Sequence, residues 1–294
     1  MRRYVIVDVF TDTPLQGNPL AVFLDGDGLP AGRMQQVAKE MNLSETVFVL
    51  PPERGGDARI RIFTPTQELP FAGHPTLGSA FTLCGQRGLD SIALETQAGV
   101  ITVDFDGQAG SGGAGQPAQP RPPGRPRLPG QMQQPVPSWE PYDRAADLLA
   151  AIGAESSRLP VDAYRNGPRY AYLAFDGEEA VSRLQPDIAA VHRLPGIGGV
   201  ACFGGAADRW KMRCFLPALG IAEDPATGSA AGPLAVHLAR HGWIGFGQQI
   251  EIRQGEEIGR PSVLYARTQG DAGKVTGVQV GGSAVIIARG EFLA

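Results

Sequence analysis

Lysine is almost absent from this 294-residue chain. Lys39, Lys211 and Lys274 are the only three, and arginine supplies the rest of the 26 basic residues. Against 30 acidic residues the formal net charge is −4. That balance offers no footprint for a nucleic-acid backbone, so no nucleic-acid partner is expected. No polybasic block flanks an apolar run, and no run of about 18 apolar residues occurs. Neither a membrane-surface helix nor a membrane span is therefore expected. Asp8 interrupts the opening apolar run, so Tyr4–Phe10 reads as a strand rather than a secretory leader. Cysteine is also scarce. Cys84, Cys202 and Cys214 are odd in number, far apart and form no CxxC. They read as buried reduced thiols of a cytoplasmic protein, not as a disulfide framework. No HxH, HExxH or Cys/His cluster has metal-ligand spacing, so no metal is expected. A Walker loop and a GxSxG elbow are missing too. What is left is acid/base chemistry without a cofactor.

Glycine and proline are plentiful, at 40 and 25 residues, together about 22% of the chain against roughly 12% in average usage. Turn residues at this density favour many short strands over long helices. Part of the excess sits in a Gly/Pro-rich stretch at 108–130, read as a flexible loop. Gly110, Gly112 and Gly115 there match GxGxxG in form. The prolines at 117, 120, 122 and 123 forbid the helix that a dinucleotide loop must open. Strands are expected at Leu20–Phe23, Thr46–Leu50, Ala58–Phe63, Ser91–Glu95 and Val100–Phe105. Met34, Val37, Ala38 and Met41 recur on one face of a helix that Asn42 stops. A second helix is expected from near His74 through Leu83.

The second half repeats the first. Arg61-Ile62-Phe63-Thr64-Pro65 matches Arg213-Cys214-Phe215-Leu216-Pro217, and His74-Pro75-Thr76-Leu77-Gly78-Ser79-Ala80 matches Asp224-Pro225-Ala226-Thr227-Gly228-Ser229-Ala230. Asn18 beside Gly17 has a counterpart in Asn166-Gly167. All three offsets lie near 150 residues, which points to a duplicated unit. Each repeat is expected to pass from a strand through a loop into a helix opened by Gly-Ser-Ala. Helix N-termini present unpaired N–H groups and partial positive charge, so two such junctions facing one cleft suit a small carboxylate.

Few residues can carry chemistry. His74, between Gly73 and Pro75, reads as a residue on a constrained loop. His192, His237 and His241 fall in helical stretches and read as structural or surface residues. Asp224 takes the place of His74 in the second repeat, where an N-cap or turn carboxylate is the plainer alternative. Ser79 reads as a helix cap and Ser229 as a binding residue. Most glutamates are solvated. Glu45 differs by its place at the mouth of the apolar strand Thr46–Leu50, where partial loss of water suits a carboxyl to take up and return a proton.

Asn42-Leu43-Ser44-Glu45-Thr46, Phe71-Ala72-Gly73-His74-Pro75 and Glu223-Asp224-Pro225-Ala226-Thr227-Gly228-Ser229-Ala230-Ala231-Gly232-Pro233-Leu234 closely resemble the PhzF family of phenazine biosynthesis. The likeness continues through Gly17-Asn18-Pro19, Asn166-Gly167-Pro168-Arg169, Cys202-Phe203-Gly204-Gly205 and Ile258-Gly259-Arg260-Pro261-Ser262, and leaves out only about residues 108–130. The resemblance implies an α+β fold of the diaminopimelate epimerase type. In it, two pseudo-symmetric halves each wrap a β-barrel-like sheet around a central α-helix, with the active site in the cleft between them. On this reading an N-terminal half, 1–130, carries Glu45 and His74. A C-terminal half, 131–294, carries Asp224 and Ser229, with its final strand free to return to the first half.

The resemblance further implies a cofactor-free isomerase acting on trans-2,3-dihydro-3-hydroxyanthranilate, moving a proton from C3 to C1. Glu45 would be base and then acid. His74 and Asp224 would contact the amine and hydroxyl region. Gly73, Gly228 and Ser229 would donate hydrogen bonds, the second helix would hold the carboxylate, and Asn18 and Ser44 would complete the substrate site. A homodimer, and downstream phenazine-pathway enzymes as partners, are also implied. Racemases and epimerases of this fold use one cysteine at each junction. Here Gly73-His74 and Pro225-Ala226 occupy those places, which disfavours two-thiol racemisation. Two alternatives stay open: a related isomerase acting on another small amino or cyclic carboxylic acid, and a non-enzymatic binding protein. The Glu45, His74 and Asp224 set argues against the second, since a binder needs no proton shuttle.

Overall fold

A computed structural model describes residues 1–105, 129–271 and 273–293. The chain divides into two units, Met1–Gln133 with Val280–Ala294, and Gln134–Gln279. Residues 106–128, with Gly110, Gly112, Gly115 and most of the 108–130 stretch, lie outside the described residues.

The first unit holds β1 (Arg2–Val9), β2 (Asn18–Phe23), α1 (Ala31–Met41), β3 (Glu45–Leu50), β4 (Ala58–Phe63), β5 (Glu68–Leu69), α2 (Gly73–Arg87), β6 (Ser91–Thr96), β7 (Gly99–Asp104) and most of β8 (Gly130–Gln134). The second holds β9 (Ser138–Pro141), α3 (Ala145–Ile152), β10 (Asp162–Arg165), β11 (Arg169–Ala174), α4 (Glu178–Ser182), α5 (Ile188–His192), β12 (Gly199–Ala206), β13 (Arg209–Leu216), β14 (Ile221–Asp224), α6 (Gly228–Arg240), β15 (Gln249–Gln254), β16 (Ser262–Gly270) and most of β17 (Val275–Gly282). The closing strand β18 (Ala284–Phe292) pairs antiparallel with β1, from Arg2 opposite Phe292 to Val9 opposite Ala284. Its ladder is made with the first unit, which is why the residues from Val280 onward group there and not with the C-terminal half.

Duplication is legible in the strand pairing. In the first unit β18/β1 and β1/β2 are antiparallel, β2/β3 parallel, β3/β4 antiparallel, β4/β6 parallel and β6/β7 antiparallel. In the second unit β9/β10, β10/β11, β11/β12, β12/β13, β13/β15 and β15/β16 follow the same sequence of directions. The short strands β5 and β14 pair back on β4 and β13. Side chains repeat as well. Arg61 donates to both oxygens of Glu68 at 2.7 and 2.6 Å, and Arg213 to both oxygens of Glu223 at 2.8 Å. Each guanidinium also lies over the phenylalanine two residues on, 5.2 Å from Phe63 and 5.0 Å from Phe215.

The strands of each unit wrap a buried helix. α2 touches β1, β2, β3, β4, β6, β7 and β18, and every residue from Gly73 to Ala80 is buried. A helix surrounded on all sides needs no polar face. Gly78 explains how it fits: a Cβ there would stand 2.7 Å from both Val9 Cγ2 and Leu20 Cδ2, on β1 and β2. α6 is buried from Gly228 to Ala239, with Tyr172 of β11 donating to its Ala230 carbonyl at 2.9 Å. The amphipathic α1 buries Met34, Val37 and Ala38 against Ala21, Phe23, Phe48 and Phe63. Asn42 ends it in the left-handed conformation, φ 51°, and donates its N–H to the Ala38 carbonyl. This turn sends the chain straight into β3, so Glu45 opens that strand opposite Leu20 of β2.

Candidate active site

Three sequence-predicted residues converge in the first unit. Glu45, the first residue of β3, is 7% exposed; His74, in the first turn of α2, is 3% exposed; Asn18, the first residue of β2, is fully buried. His74 Nε2 stands 3.3 Å from Glu45 Oε2, and His74 Nδ1 stands 3.3 Å from Asn18 Nδ2. Burial lowers the imidazole pKa to about 3, because the charged ring would lose its hydration. The ring is therefore neutral at physiological pH. The result is a carboxyl withdrawn from water and touching a neutral imidazole, an arrangement suited to moving a proton to and from carbon. Ser44, half-buried, precedes Glu45, and Gly73 is buried at the start of α2.

His74 does not sit on a loop before its helix. α2 opens at Gly73 with Ala72 as an extended N-cap, so Gly78-Ser79-Ala80 lie in the second turn. Ser79 is accordingly not a helix cap. Pro75 is tolerated in that first turn, where its missing N–H has no partner to lose. The Gly73 and His74 N–H groups then form the orphan donors of the helix.

In the second unit the Gly-Ser-Ala opening holds: α6 begins at Gly228, and Ser229, 4% exposed, follows in its first turn. Asp224 ends β14, is 3% exposed, and accepts the Thr227 hydroxyl at 2.6 Å. Gln254, fully buried, ties the junction together. Its Nε2 donates to the Asp224 carbonyl at 2.8 Å and to Thr227 Oγ1 at 3.0 Å, and its Oε1 accepts the Thr227 N–H at 3.0 Å. Gln134 donates to the Gly228 carbonyl at 2.9 Å, and Asn166 donates to Gln134 Oε1 at 2.7 Å. Sequence reasoning missed Thr227, Gln254 and Gln134. Thr227 carried a local signal, a hydroxyl three residues after a turn carboxylate. The two glutamines carried none, because they arrive on strands far along the chain.

The cysteines stand apart from this chemistry. All three are free and buried, and burial pushes the Cys202 and Cys214 thiols up, away from the reactive thiolate. One group of metal-ligand types occurs among the described residues, Asp162 with His237 and His241. Its carboxylate already accepts Arg240 Nη1 at 3.1 Å, so a guanidinium supplies the positive charge there. No helix of the described residues is long and apolar enough to cross a membrane.

The phenazine biosynthesis-like family model, PhzC-PhzF, matches residues 7–290. The trans-2,3-dihydro-3-hydroxyanthranilate isomerase of Pseudomonas aeruginosa is 50% identical over 290 residues, covering 99% of each chain. Among solved structures, a PhzF-family phenazine biosynthesis protein of Bacillus anthracis superposes with TM-score 0.80 at 23% identity, over 100% of this chain and 99% of its own. A probable proline racemase of Agrobacterium radiobacter shares the fold at TM-score 0.66 and 14% identity, over 99% of this chain and 93% of its own. The match over nearly its full length and the half-identical isomerase place this chain in the phenazine biosynthesis-like PhzC-PhzF family, as an isomerase.

Proposed function

We propose that this chain isomerises trans-2,3-dihydro-3-hydroxyanthranilate by a proton transfer through Glu45. The observation that carries the reading is the buried Glu45 carboxyl held 3.3 Å from a neutral His74. The name of the relative at 50% identity supports the substrate. Glu45 as carboxylate removes the proton at C3, and the released electron pair spreads into the conjugated ring. The resulting Glu45 carboxylic acid returns the proton at C1, so no atom is gained or lost. The enol so formed tautomerises to the amino-keto acid that serves as phenazine precursor. A single carboxyl acting as base and then acid keeps the transfer on one face of the ring.

The other residues bind and orient. His74 and Asp224 serve the amine and hydroxyl region. Ser44 and the orphan N–H of Gly73 add hydrogen bonds on the first unit. Gly228 and Ser229, at the positive end of α6, suit the substrate carboxylate.

The test incubates the protein with this substrate in deuterated water and follows ultraviolet absorbance and products. The expected result is consumption with a single hydrogen repositioned. Glu45→Gln should fold normally and lose kcat by about 10³-fold, in the range for removal of an essential acid/base group. Near-normal turnover by Glu45→Gln would refute the mechanism. No consumption by the unaltered protein would refute the substrate and turn attention to another small amino or cyclic carboxylic acid.

A further inference from the structure

We propose that Asn18 is a positioning residue that fixes the tautomer of His74, holding the imidazole proton on Nε2 toward Glu45 so that the imidazole cannot accept the proton Glu45 carries.

Asn18 has little freedom to do otherwise. Gly17 before it turns the backbone through φ +68°, and a Cβ on Gly17 would stand 2.4 Å from the Val9 carbonyl oxygen. Asn18 then opens β2 opposite Val9, fully buried. Its amide nitrogen, which only donates, faces His74 Nδ1 at 3.3 Å. That ring nitrogen must accept. A neutral imidazole has one proton, so it lies on Nε2, which faces Glu45 Oε2 at 3.3 Å. An ionised carboxylate only accepts. Asn18 therefore donates to His74, and the one ring proton lies on the side where Glu45 stands.

The two ends support each other. Turning the Asn18 amide over would put its oxygen at Nδ1, move the ring proton to Nδ1, and set the Nε2 lone pair against the carboxylate. Asn18 and a Glu45 carboxylate thus favour the same tautomer, which is how partner groups select a histidine tautomer elsewhere.

The consequence for catalysis rests on the acid/base reading of Glu45 above. Once Glu45 has taken the substrate proton, it needs an acceptor to pass it on. His74 offers no lone pair: Nε2 is protonated and Nδ1 is engaged by Asn18. The proton is confined to Glu45 until the ring takes it back.

The tautomer is read from ring nitrogen and proton shifts in protein with ¹⁵N-labelled histidine, with the His74 signals assigned by their loss in His74→Gln. The expected result is Nε2–H alone in the unaltered protein. Asn18→Asp, an isosteric acceptor, should move the proton to Nδ1, and Asn18→Leu should give a mixture of tautomers. With substrate deuterated at C3 in ordinary water, the unaltered protein should keep the label at C1. Asn18→Leu should lose part of it and reduce kcat on the order of 10- to 100-fold, the scale for a misaligned catalytic group, with KM little changed. Nδ1–H in the unaltered protein would overturn the proposal, even if no variant folds. So would an unchanged tautomer in both variants. Failure of the acid/base reading appears separately, as turnover by Glu45→Gln.

Discussion

The duplicated arginine–glutamate pair makes a quantitative comparison within one molecule. Arg61–Glu68 and Arg213–Glu223 share a bidentate geometry, but not their surroundings. The first pair is 24% and 22% exposed at its side chains; the second is 9% and 12% exposed. Arg213 Nη1 also donates to the carbonyls of Val181, Ser182 and Leu184, at 3.3, 3.2 and 2.9 Å. Removing Glu68 leaves a guanidinium that water can reach, at a cost of about 1 kcal/mol. Removing Glu223 leaves a guanidinium among protein groups with its hydrogen-bonded counter-charge gone and only the charge of Glu257 acting on it, at a cost of about 3 kcal/mol. Glu223→Gln should therefore destabilise by about 2 kcal/mol more than Glu68→Gln, corresponding to a melting point lower by roughly 4–8 °C. Urea unfolding followed by circular dichroism measures the difference. Replacing both partners, as Arg213→Met with Glu223→Leu, removes the stranded charge but also the donor to three carbonyls, so recovery should be partial. Equal costs for the two glutamates would refute the claim that burial, and not geometry, sets the worth of this pair.

Gly17→Ala places a side chain at positive φ and against the Val9 backbone, and should cost about 3 kcal/mol from the two effects together. Gly28→Ala, at φ +76° but in open space, should cost only about 1 kcal/mol; thermal unfolding of the pair separates crowding from strain, and equal losses would remove crowding from the account. Acid should weaken the fold through two histidines. Burial lowers the pKa of His74 and of His237 to about 3 from an ordinary 6.5, with His241 and Arg240 adding to the effect at His237. Between those values the unfolded chain binds more protons, so stability is complete above about pH 6.5 and is lost as pH falls toward 3, by up to about 1.4 kcal/mol per pH unit for each histidine. His237 packs among Tyr164, Tyr172 and Phe203. His237→Phe should flatten the acid limb of the stability–pH curve by about one such slope, and an unchanged limb would contradict the assignment.

Much of this molecule is local enough to read from residue order. Turn residues bound the strands because proline and positive-φ glycine end a ladder. The 34, 37, 38, 41 spacing and Asn42 define α1 because apolar periodicity and a left-handed cap are properties of adjacent residues. The repeat near 150 residues stands out because both copies keep the same arginine, phenylalanine and glycine at the same steps. Glu45, His74 and Asp224 could be named from motifs quoted residue by residue.

The rest depended on which segments meet. The fit of α2 inside its strands depends on Gly78 pressed against Val9 and Leu20, neither of which is nearby in sequence. Gln254 and Gln134 reach the α6 junction from strands far along the chain, so no spacing rule could find them. The return of β18 to β1 depends on a ladder between the two ends of the chain. The charge state and orientation of His74 also belong to the folded state. Sequence determined that an imidazole and a carboxyl were available, but only packing removed the water around them and set Asn18 and Glu45 at opposite nitrogens of one ring. Desolvation and hydrogen-bond direction depend on neighbours in space, and those neighbours exist only once the chain has folded.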